Sequence, residues 1–333
     1  MADPWSALCD AAVSGNLDDV RTLVEGGEDV NQTTADEGFT PLILASLKGH
    51  TEISKHLLKA GAGVDQASIN GYTPLIMSCM EGHQVIVKLL LAGGAEVNHA
   101  RNDGATPLIM SSQNGHQVTV KQLLAGGAEV TQANNNGVTP LIMSSQDGHQ
   151  AVVTLLLDGG AEVNQASSSG ATPLIMSSAH GHQAVVTLLL ASGAVLDQAA
   201  NNGGTPLIAA SQNGHHGVVK LLLKTGANAN HAMNDGITAL SLAYRNDHVT
   251  LVSLLRHWSL TVLQRLATYA YILHAIDLEE GRATQAEPVT KLLQRLARTP
   301  DDIVRVIVMF VGDGGVAVEE LRLEKLAMGG GGD

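Results

Sequence analysis

Residues 101–133 read RNDGATPLIMSSQNGHQVTVKQLLAGGAEVTQA, and this stretch decides the fold. It opens with Asn102, Asp103 and Gly104, where an acid before glycine tolerates positive φ and marks a tight turn. Thr106 then offers a side-chain oxygen to the orphan N–H groups of a helix start, and Pro107 needs no N–H at the first helical position. The spacing predicts a first helix over Pro107–Asn114, broken at Gly115-His116. Val118, Val120, Leu123 and Leu124 give a second helix its apolar side, before Gly126-Gly127 supplies a left-handed cap. Helices this short are marginal alone in water, so each must bury its apolar side against neighbours.

Working outward, the neighbours are copies. Thr-Pro recurs at Thr40, Thr73, Thr106, Thr139, Thr172 and Thr205, at intervals of 33 residues, and Thr238-Ala239 continues the series. Gly38, Gly71, Gly104, Gly137, Gly170, Gly203 and Gly236 keep the same phase, as do His50, His83, His116, His149, His182, His215 and His248. Ser6-Ala7-Leu8 and Gly15-Asn16 fit the frame at an offset of 34, the extra residue falling between Asn31 and Thr40. Eight units are therefore expected, each stabilised by stacking on the next in a solenoid. A small residue recurs on the first helix (Ala45, Ser78, Ser111, Ser144, Ser177, Ala210, Ala243), which lets adjacent helices approach closely.

Period and motif resemble the ankyrin repeat, with its T-P-L-H-x-A signature. The resemblance covers residues 1 to about 265 and implies an all-α solenoid of helix-turn-helix units joined by β-hairpin loops. One departure is consistent: the family's His after Thr-Pro-Leu is Ile at Ile43, Ile76, Ile109, Ile142, Ile175 and Ile208, and Ser241 in the last unit. The Thr–His hydrogen bonds usual in the family are then absent, and apolar packing should replace them.

Composition narrows the function. The chain is 44% hydrophobic but only 2% aromatic, so its core is aliphatic. With 19 basic against 32 acidic residues, net charge −13, no extended phosphate-binding surface and no nucleic-acid partner are expected. Cys9 and Cys79, the two cysteines, are too few for a disulfide framework or a Cys-rich zinc module, which suggests a reducing compartment. The first residues, MADPWSALCDAAVSGNLDD, lack the charged and apolar regions of a secretory leader, and no segment approaches the roughly 20 apolar residues of a membrane span. A cytoplasmic protein is expected, the nucleus being open as well.

Seven phased histidines invite a metal site, but copies on neighbouring helices stand roughly 8–10 Å apart, too far to share one zinc ion. The local pairs His180/His182 and His215/His216 lack accompanying Cys, Asp or Glu ligands. The serine pairs Ser111-Ser112, Ser144-Ser145 and Ser177-Ser178 are repeated, whereas a nucleophile needs one special environment. Gly93-Gly94 and its copies follow helices and are caps, not phosphate loops. No catalytic residue, cofactor or metal is assigned, and no enzymatic activity is expected.

What remains is a binding surface. The resemblance places it on the hairpin tips and the exposed side of the first helices. Read along that groove, the middle and far units offer small or neutral polar groups, whereas units two and three bring together Phe39, Leu47, Ile69, Tyr72 and Met80. Aromatic and Met residues are those that anchor interfaces, which makes these five the expected partner-binding set. The alternative is that Phe39 and Tyr72 cover their hairpins while Leu47 and Met80 pack against the first unit. The resemblance also implies possible hydroxylation at Asn31, Asn98 and Asn164, each eight residues after a Leu and preceded by Asp-Val or Glu-Val. Against it stands a structural role, with Asn closing its own loop by side-chain hydrogen bonds.

The expected domains are thus an ankyrin-like region over 1–265 and a C-terminal extension over 266–333. After Trp258, expected to help cap the stack, the repeat fails. Helix-like segments are read at Leu260–Leu278, Glu287–Arg298, Asp301–Val311 and Glu319–Met328, before a Gly-rich flexible end at Gly329–Asp333. The β-branched content of Asp301–Val311 would also suit a strand. The function expected is a non-enzymatic scaffold that binds a protein partner through its groove. A second reading is an adapter or regulatory subunit of an enzyme complex, such as a ubiquitin-ligase substrate receptor docked through its tail, although no docking box is visible. A third is an array that is chiefly structural.

Overall fold

A computed structural model describes residues 6–258 and the backbone of 306–312 and 315–321. The chain divides into two units, Met1–Asp247 and His248–Asp333. The first is the repeat array. It consists of helix pairs α1 (Ala7–Ser14) and α2 (Leu17–Glu25), α3 (Pro41–Lys48) and α4 (Thr51–Lys59), α5 (Pro74–Glu81) and α6 (Gln84–Ala92), and α7 (Pro107–Gln113) and α8 (Gln117–Ala125). Then follow α9 (Pro140–Gln146) and α10 (Gln150–Asp158), α11 (Pro173–Ala179) and α12 (Gln183–Ala191), α13 (Pro206–Gln212) and α14 (His216–Thr225), and α15 (Ala239–Arg245). First helices pack on first helices along the array and second helices on second helices, giving two layers.

The helix starts are those the sequence predicts. Thr106 Oγ accepts the N–H of Ile109 at 3.2 Å, and the other five Thr-Pro copies repeat this cap. Ser6 caps α1 through the N–H of Cys9. At the far end of α8 the cap itself, Gly126, keeps a negative φ, and the left-handed residue is Gly127 at φ +89°. Between the layers, Leu42, Leu75, Leu108, Leu141, Leu174 and Leu207 are at most 1% exposed, as are Val87, Val120, Val153, Val186 and Val219 and Leu57, Leu90, Leu123, Leu156, Leu189 and Leu222. Ile43, Ile76, Ile109, Ile142, Ile175 and Ile208 are all buried, so the residue standing in for the family's His packs into the core.

The phased histidines bind one unit to the one before. His116 Nε2 lies 2.9 Å from the Met80 carbonyl and His149 Nε2 2.8 Å from that of Gln113, and His50, His83, His182 and His215 do the same one unit earlier or later. A carbonyl only accepts, so each Nε2 carries the proton and donates. The ring lies against the glycine that ends the preceding first helix: a Cβ on Gly115, at φ +72°, would stand 2.6 Å from His149. Glycine and histidine are thus two halves of one joint.

The hairpin tips are joined as well. Asn135 N–H donates to the Asp103 carbonyl at 3.0 Å, and the same step recurs from Glu37 to Asn234. Asn102, Asn135, Asn201 and Asn234 add a side-chain rung, each amide donating to a carbonyl 33 residues back. The first tip carries the extra residue: Gly38 N–H reaches Thr34 O, four residues back, whereas Gly71 reaches Ser68 O, three back.

In the second unit, residues 249–258 are helical, with Leu251 and Leu255 buried and Trp258 half-buried. Strands β1 (Val306–Gly312) and β2 (Gly315–Leu321) pair antiparallel, with Val306 opposite Leu321 and Gly312 opposite Gly315. The helix expected over Asp301–Val311 is thus corrected at 306–311 to the strand its β-branched content also allows, and the helix expected over Glu319–Met328 is corrected at 319–321, while 301–305 and 322–328 lie outside the described residues. Val306, Ile307, Val308 and Val311 favour a strand because branching at Cβ restricts χ1 in a helix. The register leaves Asp313 and Gly314 between the strands, one of the dipeptides favoured in two-residue hairpins. The segments Leu260–Leu278, Glu287–Arg298 and Gly329–Asp333 and the boundary at 265/266 lie outside the described residues.

Candidate functional site

The groove face is made from the tips and the first helices. Each tip is closed from inside by a short polar side chain. Thr34, Ser68, Asn134 and Ser167 accept the N–H of the residue after the tip glycine, at Phe39, Tyr72, Val138 and Ala171. Arg101 holds the corresponding place in the third tip and cannot accept, so Asp103 takes over through the N–H of Ala105 at 3.0 Å. In the last two tips Asn202 and Asp235 do likewise, where Ala200 and Met233 hold that place.

Relieved of closing its tip, Arg101 reaches back over the third unit. Its guanidinium carbon lies 4.7 Å from the centre of the Tyr72 ring, and Nη1 donates to the Tyr72 hydroxyl at 2.7 Å. It also makes a two-pronged pair with Asp103, Nε to Oδ1 at 3.1 Å and Nη2 to Oδ2. The hydrogen bond from Arg101 holds the Asp103 carboxyl below its ordinary range, and the same bond raises the Arg101 guanidinium. On its other side Tyr72 meets Phe39 edge to face, ring centres 6.3 Å apart. Phe39, Tyr72 and Arg101 therefore form one stack along the tips of units two to four.

Of the five expected partner-binding residues, Phe39, Leu47, Tyr72 and Met80 are half-buried and Ile69 is 64% exposed. Met80 and Tyr72 pack, with Met143, against a buried group of Ile76, Ala105, Ile109 and Met110. Met80 thus leans toward the fourth unit. The Leu47 and Met80 carbonyls receive the His83 and His116 rings, which fixes the ends of these first helices. Sequence reasoning missed Arg101 and Asp103. The signal available was that Arg101 is the charged member of a series otherwise made of Ser68, Asn134, Ser167, Ala200 and Met233.

Asn31, Asn98 and Asn164 make structural side-chain hydrogen bonds, directed to the next unit and not within their own loops. Asn31 Oδ1 accepts the N–H of Gly63 at 2.7 Å, Asn98 that of Glu129 at 2.9 Å and Asn164 that of Val195 at 2.8 Å. Each staples its loop to the next unit, as does Asp65 between Asn31 and Asn98 and Asp197 one unit after Asn164.

The serine pairs have no base beside them in the described hydrogen bonds. Ser111, Ser144 and Ser177 donate to the carbonyls of Leu108, Leu141 and Leu174. Ser46, Ser112, Ser145, Ser178 and Ser211 are buried with Oγ unpartnered, and Cys79 takes that place in the third unit, its thiol pushed up by burial. His180 and His182 stack with centres 6.3 Å apart, each ring bonded to a main-chain carbonyl. Among the described residues no three His, Cys, Asp or Glu side chains converge, and no helix is long and apolar enough to cross a membrane.

Comparison with known proteins agrees with this architecture. Over 63 residues the chain is 40% identical to mouse protein phosphatase 1 regulatory subunit 27, covering 19% of this chain and 40% of the relative. The human protein of that name matches at 40% over 60 residues, 18% of this chain and 38% of the relative. The chain thus spans about two fifths of the length of these curated relatives. A family model described as ankyrin repeats (3 copies) matches residues 2–68, 55–134, 108–200 and 194–262. Repeats of this kind serve protein–protein interaction, and with four successive matches and helix pairs stacked at a fixed period, the chain belongs to the ankyrin-repeat family.

Proposed function

We propose that this chain is a non-enzymatic scaffold that holds a partner protein in the groove formed by its hairpin tips and first helices, anchored at Phe39, Leu47, Ile69, Tyr72 and Met80. The observation that carries this reading is the Phe39–Tyr72–Arg101 stack. An aromatic pair held under a guanidinium is ordered before any partner arrives, and Ile69 projects beside it. Little side-chain entropy is then lost on association. Aromatic, Met and Arg side chains are also the ones enriched at interface cores. The acidic balance of the chain favours a partner with basic groups at its rim.

A second reading, a regulatory subunit of an enzyme complex, is favoured by the local similarity to the phosphatase regulatory subunit. In that case the repeats hold one protein while the residues after Trp258 engage the enzyme. A lysate pull-down with quantitative mass spectrometry separates the two. It compares the intact chain, the Tyr72→Ala, Met80→Ala double variant and a chain ending at Trp258, all first shown to be folded. Loss of one partner set in the double variant alone supports the groove scaffold. Loss on truncation alone, with a phosphatase subunit among the lost proteins, supports the second reading and removes the first.

A further inference from the structure

The groove is not uniform, and its far half holds a feature the five anchors do not use. Along the first helices one row faces the groove floor at a spacing of 33 residues: Leu44, Met77, Met110, Met143, Met176, Ala209 and Leu242. Six of the seven are long; Ala209 is not. The row just after the tip glycines runs Phe39, Tyr72, Ala105, Val138, Ala171, Gly204 and Ile237, and it too reaches its minimum at the seventh unit. Two side chains that the repeat supplies elsewhere are thus missing at one spot. A cavity of about 460 Å³ lies there, with Ala171, Ile175, Ile208, Ala209 and Met233 among its walls. The hollow is an open depression of the groove floor, in the size range of ligand clefts, about 300–1,000 Å³.

From this geometry we infer that the hollow across units six to eight is a second anchor pocket, built to take the side chain of a Met or Leu from an extended segment of a protein partner. The inference rests on the groove reading proposed above. Shape states the size, because the missing wall is a Met side chain. Charge states the class: no Lys, Arg, Asp, Glu or His lines the hollow, so a charged side chain would find no ionic partner among its walls, whereas an apolar one meets Ala171, Ile175, Ile208 and Ala209. The rim names the carrier. Ser169, Asn201 and Asn202 border the apolar floor, and the hydrogen-bonding capacity of hydroxyl and amide groups suits the peptide groups on either side of an inserted side chain. Asn201 is held in place by its rung to Ser168 O at 2.9 Å, so this edge is formed beforehand.

The test restores what the repeat lacks. Ala209→Met inserts the residue that Met110, Met143 and Met176 supply at the same place, and Ala171→Val inserts that of Val138. Random linear peptides displayed on phage are selected on the full chain, and the enriched peptides are measured on both filled variants and on Tyr72→Ala, Met80→Ala. The expected result is peptides carrying a Met or Leu whose replacement by Ser weakens binding about tenfold or more, with a similar loss on Ala209→Met. Thermal unfolding of both filled variants should match the parent, so the loss reads as occlusion. Peptides that bind the filled variants unchanged overturn the second pocket. If they still weaken on Tyr72→Ala, Met80→Ala, the groove reading survives alone; if neither change matters, both fall. Selection that enriches no Met or Leu peptide also overturns the pocket.

Discussion

The two ends of the groove are built on the same frame and finished in opposite ways. In units three to five, Tyr72, Met80, Met110 and Met143 close over Ile76, Ala105 and Ile109, so the floor is filled. In units six and seven the same two rows carry Ala171, Gly204 and Ala209 beside Met176, and the floor is hollow there until Ile237 and Leu242 resume the larger side chains. Beneath both ends, the caps, the Gly–His joints and the tip ladder are alike. The contrast teaches that the frame is fixed by positions that bond or pack toward the next unit. Variation is confined to side chains the frame does not use.

The largest expected effect separates the two floors directly. Met110→Ala removes a side chain only 8% exposed and should cost about 2–5 kcal/mol of unfolding free energy, whereas Ala209→Met should change it by less than about 1 kcal/mol. Denaturant unfolding of both variants checks this. Equal losses would mean that the hollow is not open space and that the contrast is false.

Next in size is the clamp on the filled end. Arg101→Ala removes a cation–ring contact and a hydrogen bond to Tyr72 and should cost about 1–2 kcal/mol. The inner layer, shared by both ends, should respond alike at each. Ser145→Ala and Ser211→Ala each delete a buried hydroxyl without a partner, so each should leave stability unchanged or raise it by up to about 1 kcal/mol. A loss at one end alone would show that the layers differ below the surface too.

The smallest effect is one of pH. The Arg101 hydrogen bond lowers the folded-state pKa of Asp103, so this carboxylate stabilises the fold above its unfolded pKa and ceases to do so as pH falls through the lowered folded value. Asp103 is half exposed, which keeps the contribution small. The stability difference between the parent and Asp103→Asn should therefore be full at neutral pH and close only below the ordinary aspartate range. A difference that persists at lower pH would show that it does not come from the ion pair.

The repeat frame was legible because its signals are local. Thr106 and Pro107 announce a helix start within two positions, Gly115 announces its end, and the glycines of residues 126–127 announce the end of the helix that follows. What was not legible depends on neighbours a full unit away. Nothing next to His149 in the sequence says that its ring spans to Gln113 O, and nothing next to Asn135 says that its amide bridges to Asn102 O. The expected anchors were placed side by side by the shared period, yet Arg101 was passed over because its partner Tyr72 belongs to another unit. The hollow could have been found by reading down the row from Met77 to Leu242, where the residue that is absent carries the information. Strand β1 was legible as the alternative its Cβ branching offered, whereas β2 was not, because its residues open the amphipathic stretch Glu319–Met328 and its pairing partner lies in another segment.

The most direct test of the central claim sets the groove against the opposite layer. Val85 and Val118, 58% and 53% exposed on α6 and α8, form the control surface. Affinity of the partner captured by the intact chain is measured for Ile69→Ser with Tyr72→Ala, and for Val85→Ser with Val118→Ser. The groove account predicts a loss of about tenfold or more in the first pair and none in the second. A loss confined to the second pair would place the partner on the second helices and contradict it.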